Sequence, residues 1–427
     1  MNLPCKEISV TGPVDARLQA PPSKSVTQRA LVVASLAGGP SLLRAPLESA
    51  DTRTLLKALG DLGIQSRCGP EGWQIRGEGG RIPSPGAVLD AGDAGTAARF
   101  LTALVCLGHG RFVVDGSERM RQRPILPLVE ALAGLGVRAR CLAGKGCPPV
   151  EVLADGLPGG TVRIRAGMSS QYVSALLMAA PKAAASIRIV PEGSVASVPY
   201  LRLTLDVMAS FGVAPAEEPG MVFEVGAPRD YRGREYRIEG DYSSAGYFFA
   251  AAAVTGGRVR VGNLRPDSPQ GDRGVLFALE TMGCRVSAEP DGYAVTGGEL
   301  RGFDLDASAM PDAAQTLAVV ALFARGASRL KGLGTLRIKE TDRIAALARE
   351  IRRLGAEAKE GPDFLEIRPG PLRGAGIETY GDHRMAMAFS LAGLRVPGVR
   401  ILDPGCVVKS FPSYWDEFDR LRPPSRA

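Results

Sequence analysis

Histidine is nearly absent from this 427-residue chain, which has two in all, and its seven cysteines are an odd, scattered set without a C-x-x-C pair. So few imidazoles and such spacing exclude a zinc site and a disulfide framework as expectations. No apolar run reaches the roughly 18 residues that a membrane helix needs. The opening MNLPCKEISV carries an acid and a proline where a secretory leader would be apolar, so a cytoplasmic location away from any membrane is expected. There is no H-E-x-x-H, no G-x-S-x-G and no full G-x-G-x-x-G after a strand, and no Gly-x-x-x-x-Gly precedes Lys24-Ser25. Zinc-protease, serine-hydrolase and nucleotide-binding readings fall away with them. The charge excess is small, 52 Lys plus Arg against 45 Asp plus Glu, and it lacks a polybasic tail or interleaved aromatics. Such a balance favours small anionic ligands over nucleic acid.

What the chain does have is length and apolar content. At 45% hydrophobic residues it can bury a large core, and at roughly 100–200 residues per domain it divides into two or three domains. Its 53 glycines and 32 prolines are dispersed, as punctuation between many short elements of an α/β chain.

A repeat organises those elements. A large apolar residue, a glycine and a strand-opening residue recur at Leu62-Gly63-Ile64, Leu135-Gly136-Val137, Phe211-Gly212-Val213, Met282-Gly283-Cys284 and Leu354-Gly355-Ala356, with glycines 73, 76, 71 and 72 residues apart. Each glycine ends an amphipathic stretch and precedes alternation, the pattern of a helix C′ glycine feeding a strand. In step with it, a polar segment precedes an Ala-rich helix that is apolar almost all round, near Ser25, Gly95, Ser170, Ser243, Asp312 and Asp382. A helix without a polar face belongs inside, so these six helices are expected beneath sheets. Six helix starts but five corners leave the last unit short of a strand, which residues 7–10 would supply. The expected domains are therefore 21–240 and 1–20 with 241–427, joined by two crossings that permit a hinge.

The polar residues gather at those helix starts, where unsatisfied N–H groups and the dipole favour anions. They include Ser23-Lys24-Ser25 with Arg29, Asp93-Ala94-Gly95-Thr96, Ser169-Ser170-Gln171, Pro311-Asp312-Ala313 and Asp382-His383-Arg384. Ordinary N-capping by Ser, Thr and Asp explains any one of them, but capping needs no Lys24, Arg29 or Arg384. Arg119 to Pro124 reads equally as a solvated basic loop, Arg337 to Arg343 as the ion-paired opening of a helix, and Lys409 by itself as a surface lysine.

Taken in order, Pro22-Ser23-Lys24-Ser25, Ala94-Gly95-Thr96-Ala97, Arg123-Pro124-Ile125, Ser169-Ser170-Gln171, Pro311-Asp312-Ala313-Ala314, Lys339-Glu340-Thr341-Asp342-Arg343, Asp382-His383-Arg384-Met385-Ala386-Met387 and Asp403-Pro404 with Lys409 resemble the enolpyruvyl transferases called EPSP synthases. The resemblance spans nearly the whole chain. It implies a two-domain inside-out α/β barrel, each domain of three repeated units with buried helices covered by sheets. It also implies transfer of the enolpyruvyl group of phosphoenolpyruvate to the 5-hydroxyl of shikimate 3-phosphate, by a monomer in the shikimate pathway. By family similarity Lys24, Gly95, Arg123, Gln171, Arg343, Arg384 and Lys409 would meet phosphoenolpyruvate. Lys24, Ser25, Arg29, Ser169, Ser170, Gln171, Ser197, Tyr200, Asp312, Thr335 and Lys339 would meet shikimate 3-phosphate. Asp312 would accept the hydroxyl proton, Glu340 would protonate the methylene carbon, and Lys24 would complete the catalytic set. No metal or organic cofactor is implied, because the phosphate ester carries the leaving group.

Asp93 and Thr335 stand where the family commonly has Asn, and Phe100 where it has Pro. The sister transferase acting on UDP-N-acetylglucosamine has Lys-Asn at Lys24-Ser25 and a reactive Cys before Arg-Pro, where residues 116–123 have none. A paralogue acting on another cyclic alcohol is the closer alternative. A purely anion-binding protein would gain nothing from two acids, Asp312 and Glu340.

Overall fold

The architecture, in a computed structural model that describes residues 4–422, is set by helices with no polar face to offer solvent. In Tyr242–Thr255 every residue is buried, and in Lys24–Leu36 every residue from Val26 onward is. Gly95–Leu104, Gln171–Ala179, Ala314–Val320 and His383–Gly393 are buried almost as completely. Helices of this kind are stable only when covered on all sides.

Among the described residues the cover is six separate sheets, five of four strands and one of three. Their strands alternate inward apolar and outward polar residues, as in Asp15–Gln19, where Ala16 and Leu18 are buried and Asp15, Arg17 and Gln19 are exposed. The inside-out arrangement is thus as expected, with the sheets remaining separate.

Three repeats, beginning at Gly86, Gly160 and Asp304, show one pattern in full: a strand, the buried helix and a second strand form a parallel crossover, and a further helix then leads to an antiparallel hairpin. Gly86–Asp90 pairs in parallel with His109–Asp115, which pairs antiparallel with Val150–Asp155. The corner glycines Gly63, Gly136, Gly212, Gly283 and Gly355 take φ between 88° and 107°, a region that a Cβ makes costly.

The chain divides into two units, Pro22–Ile238, and Met1–Pro21 with Glu239–Ala427. Each closes on itself by borrowing strands. In the first, Glu235–Arg237 returns to pair in parallel with Gly38–Arg44. In the second, the N-terminal segment supplies two strands where the repeat count called for one. Asp15–Gln19 pairs in parallel with Arg258–Gly262, and Cys5–Glu7 pairs antiparallel with Arg400–Leu402. The short last unit therefore takes Cys5–Glu7 in place of residues 7–10. Beyond Glu7, the Ile8 N–H still donates to the Val399 carbonyl at 3.0 Å, its side chain fills the space where Gly393 has none, and Val10 is exposed.

Candidate active site

In the second unit, three element starts converge. The turn Pro311–Ala313 presents Asp312, helix Arg343–Arg353 opens with Arg343, and helix His383–Gly393 opens with His383 and Arg384. The caps explain why the helices begin there. Asp342 accepts a hydrogen bond from Ala345 N at 3.1 Å, and Asp382 accepts one from Arg384 N at 2.9 Å.

Arg343, buried to 1% exposure, is the hub. Its guanidinium donates to Asp382 Oδ2 at 2.6 Å, Asp312 Oδ1 at 3.0 Å and Glu340 Oε2 at 2.8 Å. Burial opposes its charge, but the three carboxylates together more than offset that cost and raise its pKa. Arg384 donates to the other oxygen of Asp312 at 2.8 Å and to the Tyr247 hydroxyl at 3.4 Å. Burial pushes that Tyr247 hydroxyl up to about 12, so it stays protonated. Lys409 Nζ lies 4.0 Å from Glu340 Oε1 and is buried, so it is no surface lysine.

Three cations, Arg343, Arg384 and Lys409, thus face three carboxylates, Asp312, Glu340 and Asp382. The cluster carries no net formal charge. An entering anion gains the cations only by competing with carboxylates, and those it displaces become freer to act as bases. The segment before Arg343 behaves as an ion-paired helix opening as well, with Arg337 on Asp342 at 2.6 Å. Thr335 and Lys339, in and just after the turn Gly334–Ile338, are half-buried.

In the first unit, Lys24 opens its helix and pairs with Asp51 at 3.1 Å. Arg29 is fully buried without a carboxylate contact among the described residues, and burial lowers its pKa to about 10. It donates to the Thr204 hydroxyl at 2.8 Å and to the carbonyls of Ser25 and Tyr200 at 3.0 and 3.2 Å. The rings of Phe100 and Tyr200 lie 5.4 and 5.8 Å from it. Phe100, a departure from the family pattern, is thus part of the wall that holds Arg29.

Gln171 opens its helix, takes its backbone N–H to Ser169 Oγ at 3.2 Å, and donates from Nε2 to Thr96 Oγ1 at 3.1 Å. Ser170 is buried beside them, while Ser25, Ser197 and Tyr200 are half-buried. Ser197 sits at φ 52°, a strained conformation for a serine. Gly95 opens a helix after Ala94, which has no side chain to cap it, and a Cβ on Gly95 would lie 2.5–2.7 Å from the Arg123 guanidinium. Arg123 is buried and donates to the Asp93 carbonyl at 3.2 Å, whereas Arg121 is exposed and pairs with Asp115. The basic run 119–123 is therefore partly solvated loop, at Arg121, and partly buried against the helix start at Gly95, at Arg123. The Asp93 carboxylate is exposed and accepts from the Ser117 hydroxyl.

Two contacts of these candidate residues lay outside sequence reasoning. Asp51 is 27 positions from Lys24 in a different helix, with no local pattern linking them. Asp382 reads in sequence only as a helix start, yet it is the most buried partner of Arg343.

Comparison with known proteins bears on the whole chain. A family model described as EPSP synthase (3-phosphoshikimate 1-carboxyvinyltransferase) matches residues 8–418. A 3-phosphoshikimate 1-carboxyvinyltransferase of Nostoc punctiforme is 45% identical over 412 residues, covering 96% of this chain and 97% of that one. One from Methanosphaerula palustris is 46% identical over 409 residues, covering 95% and 96%. The solved EPSP synthase of Acinetobacter baumannii superimposes with a TM-score of 0.83 at 25% identity, covering 98% of both chains.

Proposed function

The chain belongs to the EPSP synthase family, and from that membership we propose how its residues divide the work. The reaction is transfer of the enolpyruvyl group of phosphoenolpyruvate to the 5-hydroxyl of shikimate 3-phosphate, with release of phosphate. Asp312 takes the hydroxyl proton while the oxygen bonds to the central carbon of phosphoenolpyruvate, and Glu340 gives a proton to its methylene carbon. The tetrahedral adduct then loses phosphate and a methyl proton to regenerate a double bond. Arg343, Arg384, Lys409, Lys24 and Arg123 hold phosphoenolpyruvate, with Gly95 and Gln171 beside it. Ser25, Arg29, Ser169, Ser170, Ser197, Tyr200, Thr335 and Lys339 hold shikimate 3-phosphate, so the first unit, 21–240 in the repeat reading, does most of that binding. The reading takes the enzyme to work in the cytoplasm, as a monomer.

One observation carries this reading: two acids, Asp312 and Glu340, share one buried arginine, Arg343. When a substrate anion claims Arg343 and Arg384, Asp312 is released from both at the moment a base is needed. A phosphate-release assay tests the assignment. Phosphate should appear with phosphoenolpyruvate and shikimate 3-phosphate, and not when shikimate or UDP-N-acetylglucosamine replaces the acceptor. Release with another acceptor alone would favour the paralogue.

A second expectation concerns Gly95. An added methyl meets the far end of the Arg123 side chain, which can swing aside, so Gly95→Ala should fold but shift a phosphoenolpyruvate-binding cation. The KM for phosphoenolpyruvate should rise, and the inhibition constant of glyphosate, the longer ligand that competes with it in this family, should rise more. Steady-state inhibition kinetics check both. Equal shifts, or a wild type indifferent to glyphosate, would reject this picture.

A further inference from the structure

Asp272 lies in the turn Gly271–Arg273, which packs against the turn carrying Asp312 and against the start of helix Tyr242–Thr255. Its carboxyl is buried; Oδ2 is bonded to the Ser243 hydroxyl, and Oδ1 has no hydrogen-bond partner among the described residues. The loop around it is built firmly. Gln270 accepts from Tyr242 N at 3.0 Å and donates to the Gly240 carbonyl at 2.8 Å, so the position of Asp272 is fixed. A buried carboxyl with an unused oxygen is costly to the fold and calls for a reason outside it.

The groups that face it supply the reason: Asp312, Arg384 and Asp241 by charge, Ser243 by hydrogen bond. Asp312 is held by two guanidinium groups, and even after a substrate anion takes over their hydrogen bonds their charges stay nearby and oppose proton uptake by Asp312. We propose that Asp272 is a positioning residue of the proton acceptor, its buried carboxylate offsetting the pull of Arg343 and Arg384 so that Asp312 stays basic enough to take the acceptor hydroxyl proton. The inference rests on the role given to Asp312 above. Burial first, and then the charge of Asp312, push the Asp272 carboxyl up to about 7. Each carboxylate's charge disfavours ionisation of the other, so the base is fully effective only once Asp272 has ionised.

The sign of the stability effect follows. A carboxyl near 7 in the folded chain and about 3.9 unfolded binds a proton on folding, so the stability it contributes falls as pH rises through that window. Asp272→Asn should therefore be as stable as the wild type, or more so, at pH 8. Its kcat should nevertheless fall about tenfold, and the acid limb of its kcat–pH profile should move down by about one pH unit. Ser243→Ala, which removes the bond that favours the Asp272 anion, should move the same limb up. A merely structural Asp272 would give loss of stability and an unmoved limb, and that result overturns the proposal. Should Asp272→Asn fail to fold, an unmoved limb in Ser243→Ala overturns it alone. Asp312→Asn separates the two readings: undiminished turnover there refutes the base assignment, whereas a fall there with an unmoved limb in Asp272→Asn refutes only the present inference.

Discussion

Asp312→Asn and Glu340→Gln should each lower kcat by about 10²–10⁴-fold, the usual contribution of a placed acid or base. The two losses should separate, because one group handles a proton on oxygen and the other a proton on carbon. Glu340→Gln should leave the acceptor hydroxyl able to be deprotonated but slow protonation of the methylene, so solvent deuterium should enter that carbon more slowly. Asp312→Asn carries an added cost that the geometry explains. Both carboxylate oxygens accept from arginines, at 3.0 and 2.8 Å, so an amide must turn its NH₂ toward one guanidinium. Some affinity for the acceptor should be lost with turnover, whereas Glu340→Gln should bind nearly normally. Rapid-quench turnover with binding measured separately distinguishes these outcomes, and wild-type kcat in both variants would sink the assignment.

Arg343→Ala should have the largest effect on the fold itself. It strips the shared partner from Asp312, Glu340 and Asp382, the last of them wholly buried. Removing one member of a buried charge network costs about 3–5 kcal/mol, since the remaining charges stay uncompensated. Denaturant unfolding should show that loss, together with turnover near background. Arg343→Lys keeps the charge but not the fork that reaches three carboxylates at once, and should recover stability in part and activity hardly at all. An Arg343→Ala variant as stable as the wild type would contradict the hub seen at this site.

The repeat and its consequences were legible in sequence because they are periodic. Five glycines at spacings of 71–76 residues lie at corners that need positive φ, and six Ala-rich stretches with no polar side can only be interior helices. The chemistry-bearing residues were legible for a related reason: Lys24, Gly95, Gln171, Asp312, Arg343 and Arg384 stand at or beside element starts, where the chain offers N–H groups and little else. Periodicity cannot tell which strand closes a sheet. The N-terminal segment carries two short strands into the second unit, and Glu235–Arg237 returns to the first, because pairing depends on which edges remain open after folding. Partner choice is hidden for the same reason. The sequence offers Arg343, Arg384 and Lys409 as cations for an anionic ligand. Only the tertiary structure shows that Asp312, Glu340 and Asp382 already hold them, that Asp51 holds Lys24, and that Asp272 stands buried in the turn packed against that of Asp312. Those contacts join residues 27 or more positions apart, with the exception of Glu340 and Arg343 on neighbouring turns of chain and the adjoining Asp382 and Arg384. Charge compensation in a buried cluster is a property of distance in space, and spacing along the chain does not encode it.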